Sequence, residues 1–158
     1  MNGFSKIGLA VAGSLVVASA ALAQGAPPDP NATAVKQRQS VFQVIALSFG
    51  PAGAQLRPGA PAPDGAAIAK AGERLQVLAP LISEAFAKDT HGVAGLTTKA
   101  RDAIWTSKSD FDAKAADLGK AAADLEAAGK AGDPAAIKKA AGAVGKACGA
   151  CHDQFRDK

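Results

Sequence analysis

Five residues close to the C-terminus, Cys148-Gly149-Ala150-Cys151-His152, have the types and spacing that covalent haem attachment requires. Two thiols three positions apart can add across the vinyl groups of one porphyrin, and the histidine that follows can bind the iron. In a helix, Cys148, Cys151 and His152 would stand at i, i+3 and i+4 and share one face. Three of the four cysteine and histidine residues in the chain belong to this motif. It therefore predicts one covalent, thioether-linked haem c per chain, with His152 as the axial ligand to the iron.

Three other kinds of site could use the same cysteines. A redox-active dithiol of the thioredoxin type would need a βαβ context, and no segment of this chain has a strand-like pattern. A structural zinc site could draw on Cys148, Cys151, His152 and His91, but their spacing fits no common zinc finger. A disulfide across one helical turn is geometrically awkward. Haem attachment is the favoured interpretation.

The N-terminus has the pattern of a cleavable secretory signal. Residues 1–6 carry one positive charge on Lys6, residues 7–20 are apolar, and Ala21-Leu22-Ala23 matches an A-x-A cleavage site. The apolar run is short for a membrane span, and no cysteine near Ala23 indicates a lipid anchor. We therefore expect residues 1–23 to be a signal peptide and residues 24–158 to form one domain in the periplasm.

Charge gives little indication of a macromolecular partner. The formal net charge is +4, of which Lys6 in the predicted leader carries one. The densest basic cluster, Lys138-Lys139, has no interleaved aromatic residues, so nucleic-acid binding is not expected. Mild basicity could favour docking to an acidic redox partner protein, but a solvated surface is the preferred explanation.

The domain has four segments with helical periodicity and abundant alanine. Their predicted bounds are Asn31 to Phe49, Asp64 to Phe86, Ser109 to Gly129 and Asp133 to Phe155. Gly50-Pro51 should end the first helix, and Pro80 should kink the second. The pattern predicts an all-α, antiparallel four-helix bundle, with covalently bound haem c near the C-terminal end of the fourth helix.

With these helices in place, the chain resembles the class II cytochromes c, which comprise cytochrome c′ and the related low-spin c-556 proteins. The resemblance covers the whole predicted domain. It is carried by three segments: Val35 to Ser40, Ala103-Ile104-Trp105, and Cys148 to Arg156. It implies a homodimer formed through the first two helices. Val44 and Leu47, off the main apolar stripe of the first helix, would then be buried against the second copy.

The resemblance also bears on the sixth ligand of the iron. Low-spin c-556 proteins carry a methionine four positions after the arginine of the first helix, and this chain has Phe42 there. Its only methionine, Met1, belongs to the predicted leader. The resemblance thus implies a five-coordinate, high-spin iron with an apolar distal face under Phe42. Phe42 could equally be ordinary core, and His91 is an alternative ligand, although an exposed histidine is the preferred interpretation.

By the same resemblance, Arg38 and Gln39 would bind the haem propionates, and Arg156 would border the proximal imidazole. A guanidinium can pair a carboxylate through two hydrogen bonds. The alternative for Arg38 and Gln39 is a solvated surface, and for Arg156 a favourable charge at the last turn of a helix.

Two functions are compatible with these residues, and a third is not expected. The first is binding of the diatomic gases NO and CO, because an apolar distal wall offers no donor to bound, polarised dioxygen while neutral NO and CO need none. The second is electron transfer of the c-556 type with no gas-binding role. Peroxidase activity is not expected, since O–O cleavage needs a distal acid or base, and none is placed near Phe42. We therefore expect a protein that is not an enzyme.

Overall fold

Helices account for most of the chain that the computed structural model describes, residues 27–158. The helices are α1 (Pro30–Ala54), α2 (Gly65–Ala85), α3 (Ala103–Thr106), α4 (Lys108–Ala131) and α5 (Pro134–Phe155). The predicted all-α, four-helix bundle is confirmed, with α1, α2, α4 and α5 as its long helices. Within residues 27–158, no helix combines the length and apolarity that a bilayer crossing requires. The predicted leader, residues 1–23, lies outside the described residues.

Three of the long helices begin at an aspartate that caps them. The Oδ1 atoms of Asp29, Asp64 and Asp133 accept hydrogen bonds from the backbone N–H two positions on, at 2.9, 2.9 and 3.0 Å. Each carboxylate satisfies a donor that has no partner within the first turn of its helix. The predicted caps Asp64 and Asp133 are confirmed. Gly132, with a φ of 72°, closes α4 in the left-handed conformation that glycine favours.

Two predicted helix boundaries were wrong, the end of the first helix and the start of the third long helix. The first helix was expected to stop at Gly50-Pro51, but α1 continues to Ala54 with Pro51 inside it. A proline so close to the end of a helix removes only one backbone hydrogen bond, and the extra turn buries Ala52 in the core. The third long helix, α4, starts after Ser107 rather than Ser109. The carbonyl of Ser107 accepts the N–H of Phe111 at 3.1 Å, so Ser107 opens the helical ladder.

Glycines let α2 and α4 pack with their backbones in contact. A Cβ atom on Gly72 would lie 2.5 Å from the backbone nitrogen of Glu126, and one on Gly129 would lie 2.4 Å from that of Ala69. Position 72 lies opposite position 126, and the earlier position 69 lies opposite the later position 129. α2 and α4 are therefore antiparallel. Because a side chain at either glycine would collide with backbone, these two positions fix how closely the helices approach.

The fully packed part of the core lies away from α1. α1 packs mainly against α2, whereas α4 packs against both α2 and α5. The largest fully buried side chains are Ile68, Leu75, Ile104, Phe111, Leu125, Ile137 and Val144. None of these belongs to α1, so the side of α1 that faces the end of α5 remains available to line a site.

Candidate haem site

The last two turns of α5 carry the three residues of the attachment motif. Cys148, Cys151 and His152 share one helix face, as the spacing predicts. Both thiols are free and half-buried, and burial raises the pKa of each. Partial burial lowers the pKa of His152, and the positive charge of Arg156 acts in the same direction. The imidazole is therefore biased toward the neutral form, which is the form that binds metals.

A cavity of about 590 Å³ separates this end of α5 from α1. Its volume lies within the roughly 300–1,000 Å³ typical of small-molecule and cofactor sites. Six of the seven residues expected to contact haem line it: Arg38, Gln39, Phe42, Cys151, His152 and Arg156. Cys148 is not among the lining residues, although it lies one turn before Cys151 on the same face of α5. The fold therefore brings most of the residues predicted to contact haem to one cavity, together with nine others that also line it.

The cavity lining is mostly apolar, with several exposed polar side chains. Val35, Phe42 and Ile45 line it from α1, and Phe86 and Phe155 line it from other parts of the chain. Apart from the buried Arg38, the polar lining side chains are exposed: Gln39, Gln43, Thr98, Lys99, His152 and Arg156. This arrangement suits a large, flat, apolar molecule with ionised groups at one edge. A porphyrin with two propionates has that shape and polarity.

Phe42 occupies the part of α1 that faces the cavity. Its side chain is 36% exposed, and its ring packs edge-on against Phe86 with 6.2 Å between ring centroids. Phe86, the residue that ends α2, is itself buried. Phe42 is therefore held on one side and open toward the cavity on the other. An ordinary core position would leave the ring enclosed.

Arg38 is buried, with only 3% of its surface exposed. Nε donates to the carbonyl of Ala85 at 2.9 Å, Nη1 donates to Thr90 Oγ1 at 2.6 Å, and Nη2 donates to the carbonyl of Lys88. Burial lowers the pKa of Arg38, and the nearby charge of Asp89 opposes that effect. The alternative of a solvated arginine is wrong. The expected contact with a propionate stays a prediction, and the three nitrogens already have acceptors within the chain.

The residues after α5 are held against the segment that precedes α3. Phe155 and Lys99 accept backbone hydrogen bonds from Arg101 and Asp157 at 3.1 and 2.9 Å, which produces an isolated antiparallel bridge. The side chain of Arg101 adds a 2.9 Å ion pair from its Nε to Asp157 Oδ1. These contacts hold Arg156 extended beside the cavity.

Two groups of lining residues were missed from the sequence. Thr98, Lys99 and Ala100 belong to a segment without periodicity, and only the bridge to the tail of α5 brings them to the cavity. Phe86 was expected only as the last residue of the second predicted helix. Its position at that end, next to a loop, was the one available signal that it could leave the interhelical core and line a site.

The alternatives based on zinc and on His91 find no support. His91 is exposed in the loop after α2 and does not line the cavity. Among residues 27–158, no three histidine, cysteine or acidic side chains cluster closely enough to hold a metal ion. The two cysteines also lie on a helix rather than in a βαβ unit, which argues against a thioredoxin-type dithiol.

A comparison with family models supports the same conclusion as the geometry. The model for cytochrome c′ matches residues 33–156, nearly all of the described bundle. The chain belongs to the cytochrome c′ family. Proteins of this family bind haem c covalently, and the two cysteines of this chain have the spacing that such attachment requires. The chain is thus a haem cytochrome.

Individual relatives agree over most of their length. Cytochrome c′ of Rubrivivax gelatinosus is 38% identical over 125 residues, which cover 79% of this chain and 95% of the relative. Cytochrome c-556 of Rhodopseudomonas palustris is 32% identical over 151 residues, covering 94% and 95%. A cytochrome c′ variant from Alcaligenes xylosoxidans, solved with nitric oxide, is 34% identical with a TM-score of 0.67, covering 81% and 97%.

Proposed function

We propose that this haem cytochrome is a periplasmic protein that binds the diatomic gases NO and CO at a five-coordinate, high-spin haem. One observation carries the proposal. Phe42 on α1 and His152 on α5 line the same cavity, to which α1 contributes a hydrocarbon ring at this position. The nitric oxide complex of the Alcaligenes relative supports a gas ligand for this kind of site.

The residues of α5 would hold the haem. Cys148 and Cys151 would form the two thioether links, and His152 would supply the axial nitrogen from the same helix face. When bound, the haem provides an iron centre that can take one diatomic ligand and exchange one electron. Gln39 and Arg156 would meet its propionates, and their exposure among the lining residues supports this role.

The side chains opposite His152 offer no strong sixth ligand. His152 is the only imidazole that lines the cavity, and no thioether does so. The one methionine of the chain, Met1, belongs to the predicted leader. Lys99 also lines the cavity, but its side chain is exposed. These features favour five ligands to the iron.

The character of the distal wall favours gas binding over catalysis. The apolar side chains that α1 contributes to the cavity, Val35, Phe42 and Ile45, carry no hydrogen-bond donor and no proton-transfer group. Of the polar α1 residues in the lining, Arg38 already donates to acceptors within the chain, and Gln39 and Gln43 are exposed. Activation of an O–O bond needs such groups. We therefore propose a non-enzymatic role. Electron transfer of the c-556 type is the alternative, and the similarity to the Rhodopseudomonas c-556 favours it.

Assembly as a homodimer completes the proposal. The exposed aliphatic residues Val44 and Leu47 lie on α1, and Val77 and Leu81 lie on α2, the helix against which α1 packs. Leu47 and Val77 are 73% and 69% exposed. A second copy related by a two-fold axis would bury these side chains against their equivalents.

Two experiments test the attachment and ligation separately. Acid-acetone extraction should leave haem on the purified polypeptide, and the double variant Cys148→Ala/Cys151→Ala should retain none. Electron paramagnetic resonance of the ferric protein should give a high-spin signal that His91→Ala leaves unchanged. Extractable haem would overturn the attachment, and a low-spin signal that persists in His91→Ala would reveal an unrecognised sixth ligand.

A further inference from the structure

The hydrogen bonds of Arg38 join three separate parts of the molecule. The side chain starts on α1, and its acceptors are the end of α2, at Ala85, and the loop that follows, at Lys88 and Thr90. Thr90 is itself buried, with 2% of its surface exposed. Burial of a guanidinium is costly unless its N–H groups find acceptors, and three of the five have one here, one on each nitrogen. These three bonds fix the position of the side chain.

The face of the same guanidinium lies against two aromatic rings. Its central carbon, Cζ, is 4.6 Å from the ring centroid of Phe86 and 5.1 Å from that of Trp105. Trp105 Nε1 donates to the carbonyl of Phe86 at 3.0 Å, which holds the backbone of that residue as well. Phe86 is thus fixed through its ring and its carbonyl at once. An arginine stacked on aromatic faces makes contacts that the compact ammonium of lysine does not reproduce.

Phe86 in turn supports Phe42. Its ring contacts the ring of Phe42 on one side and, at a centroid distance of 5.0 Å, the buried ring of Phe111 on another. Arg38 precedes Phe42 by one turn of α1, and both residues line the cavity. A continuous set of contacts therefore leads from the guanidinium through Phe86 to the Phe42 ring that lines the cavity.

We propose that Arg38 is a positioning residue for the distal wall, which acts through Phe86 on Phe42 and thereby slows the entry of gas ligands. The inference rests on the proposed gas-binding function. It differs from the propionate contact that the resemblance implies, because it acts through the chain's own acceptors and aromatic rings. Its specific consequence is that the effect of Arg38 on gas entry requires the ring of Phe42.

A double-mutant cycle on the holoprotein tests this requirement. The CO association rate is measured by flash photolysis in the parent, Arg38→Lys, Phe42→Ala and the combined variant. Arg38→Lys keeps the charge and removes the three-point attachment. It should raise the rate about fivefold in the parent, the effect of lowering the entry barrier by about 1 kcal/mol, and should leave the rate of Phe42→Ala unchanged. Arg57→Lys, at an exposed arginine in the α1–α2 connection, is the control and should change neither.

A second readout does not depend on gas binding. Exchange of the Trp105 indole proton, followed by NMR in the reduced holoprotein, should be faster in Arg38→Lys because Phe86 loses one of its supports. If Arg38→Lys does not fold, Thr90→Val removes a single acceptor and should raise the CO association rate about twofold, again only when Phe42 is present.

The outcomes separate this inference from the proposed function. A parent protein that binds neither CO nor NO contradicts gas binding, and the inference fails with it. If the parent binds CO but Arg38→Lys leaves the rate unchanged or lowers it, the inference alone is wrong. The inference is also wrong if Arg38→Lys raises the rate equally with and without the Phe42 ring, since Arg38 would then act by another route, such as a propionate.

Discussion

The ring of Phe42 meets the ring of Phe86 edge-on, with 6.2 Å between centroids and 65° between planes. Phe86 is 5% exposed and Phe42 is 36% exposed. One ring of the pair is therefore fixed in the core, and the other projects from it toward the cavity. Edge-to-face pairs of this kind contribute roughly 0.5–1.5 kcal/mol beyond the area they bury. The contact can hold the distal ring in place without enclosing it.

Phe42→Ala should accelerate the binding of CO and NO. Removal of the ring opens the distal side of the cavity while the proximal residues on α5 are unaffected. Because the ring is more than one-third exposed, the loss of unfolding free energy should fall below the roughly 3–5 kcal/mol typical of a fully buried phenylalanine. Stopped-flow mixing and thermal unfolding measure the two effects. Unchanged ligand kinetics would mean that Phe42 does not face the iron.

Phe42→Met should move the iron toward a six-coordinate, low-spin state. The substitution places a thioether where the low-spin c-556 proteins carry their methionine, on the face of α1 that lines the cavity. Phe42→Leu is the matched control, because it is similar in size but has no sulfur atom. A low-spin spectrum in Phe42→Met and a high-spin spectrum in Phe42→Leu are the expected results. Identical spectra would contradict the placement of this residue.

Gly129→Ala should destabilise the bundle, because the added methyl group would meet the backbone of Ala69. Overpacking of this kind reduces the free energy of unfolding by about 1–3 kcal/mol. Gly142→Ala is the control: nothing lies within 4 Å of its added Cβ, and helix propensity should make it neutral or stabilising by up to ~1 kcal/mol. Chemical denaturation of the two holoproteins compares them. Equal stabilities would show that the α2–α4 crossing is looser than these contacts imply.

Leu47→Glu should split the proposed homodimer and leave the haem spectrum unchanged. Leu47 is exposed on α1, and a carboxylate buried against its symmetry mate would be unpaired. Ala127→Glu adds the same charge on an exposed position of α4 and should preserve the dimer. Light scattering at micromolar concentration measures both. A parent protein that is already monomeric would refute the dimer.

The parts of the site that could be predicted from the sequence are those whose geometry is local. Cys148, Cys151 and His152 share a face because helical spacing requires it, and Asp64 and Asp133 cap the helices that follow them. The partners of Arg38 could not be predicted, because they lie 47 to 52 positions away and meet it only when α1 packs on α2.

The role of the two glycines between α2 and α4 could not be predicted from the sequence either. Gly72 and Gly129 lie in ordinary alanine-rich helices, and only the register between α2 and α4 distinguishes them from the freely exposed Gly142. The predicted end of α1 was wrong for a related reason. A local rule placed a stop at Pro51, whereas burial of Ala52 against the bundle favours one further turn.

The most direct test of a vacant, gas-binding iron is the optical spectrum of the reduced holoprotein before and after addition of CO, and separately of NO. With His152 as the only protein ligand, the reduced protein should have a broad, high-spin Soret band, and each gas should convert it fully to a distinct ligand-bound spectrum. A sharp low-spin spectrum that neither gas changes would contradict the account and would favour electron transfer of the c-556 type.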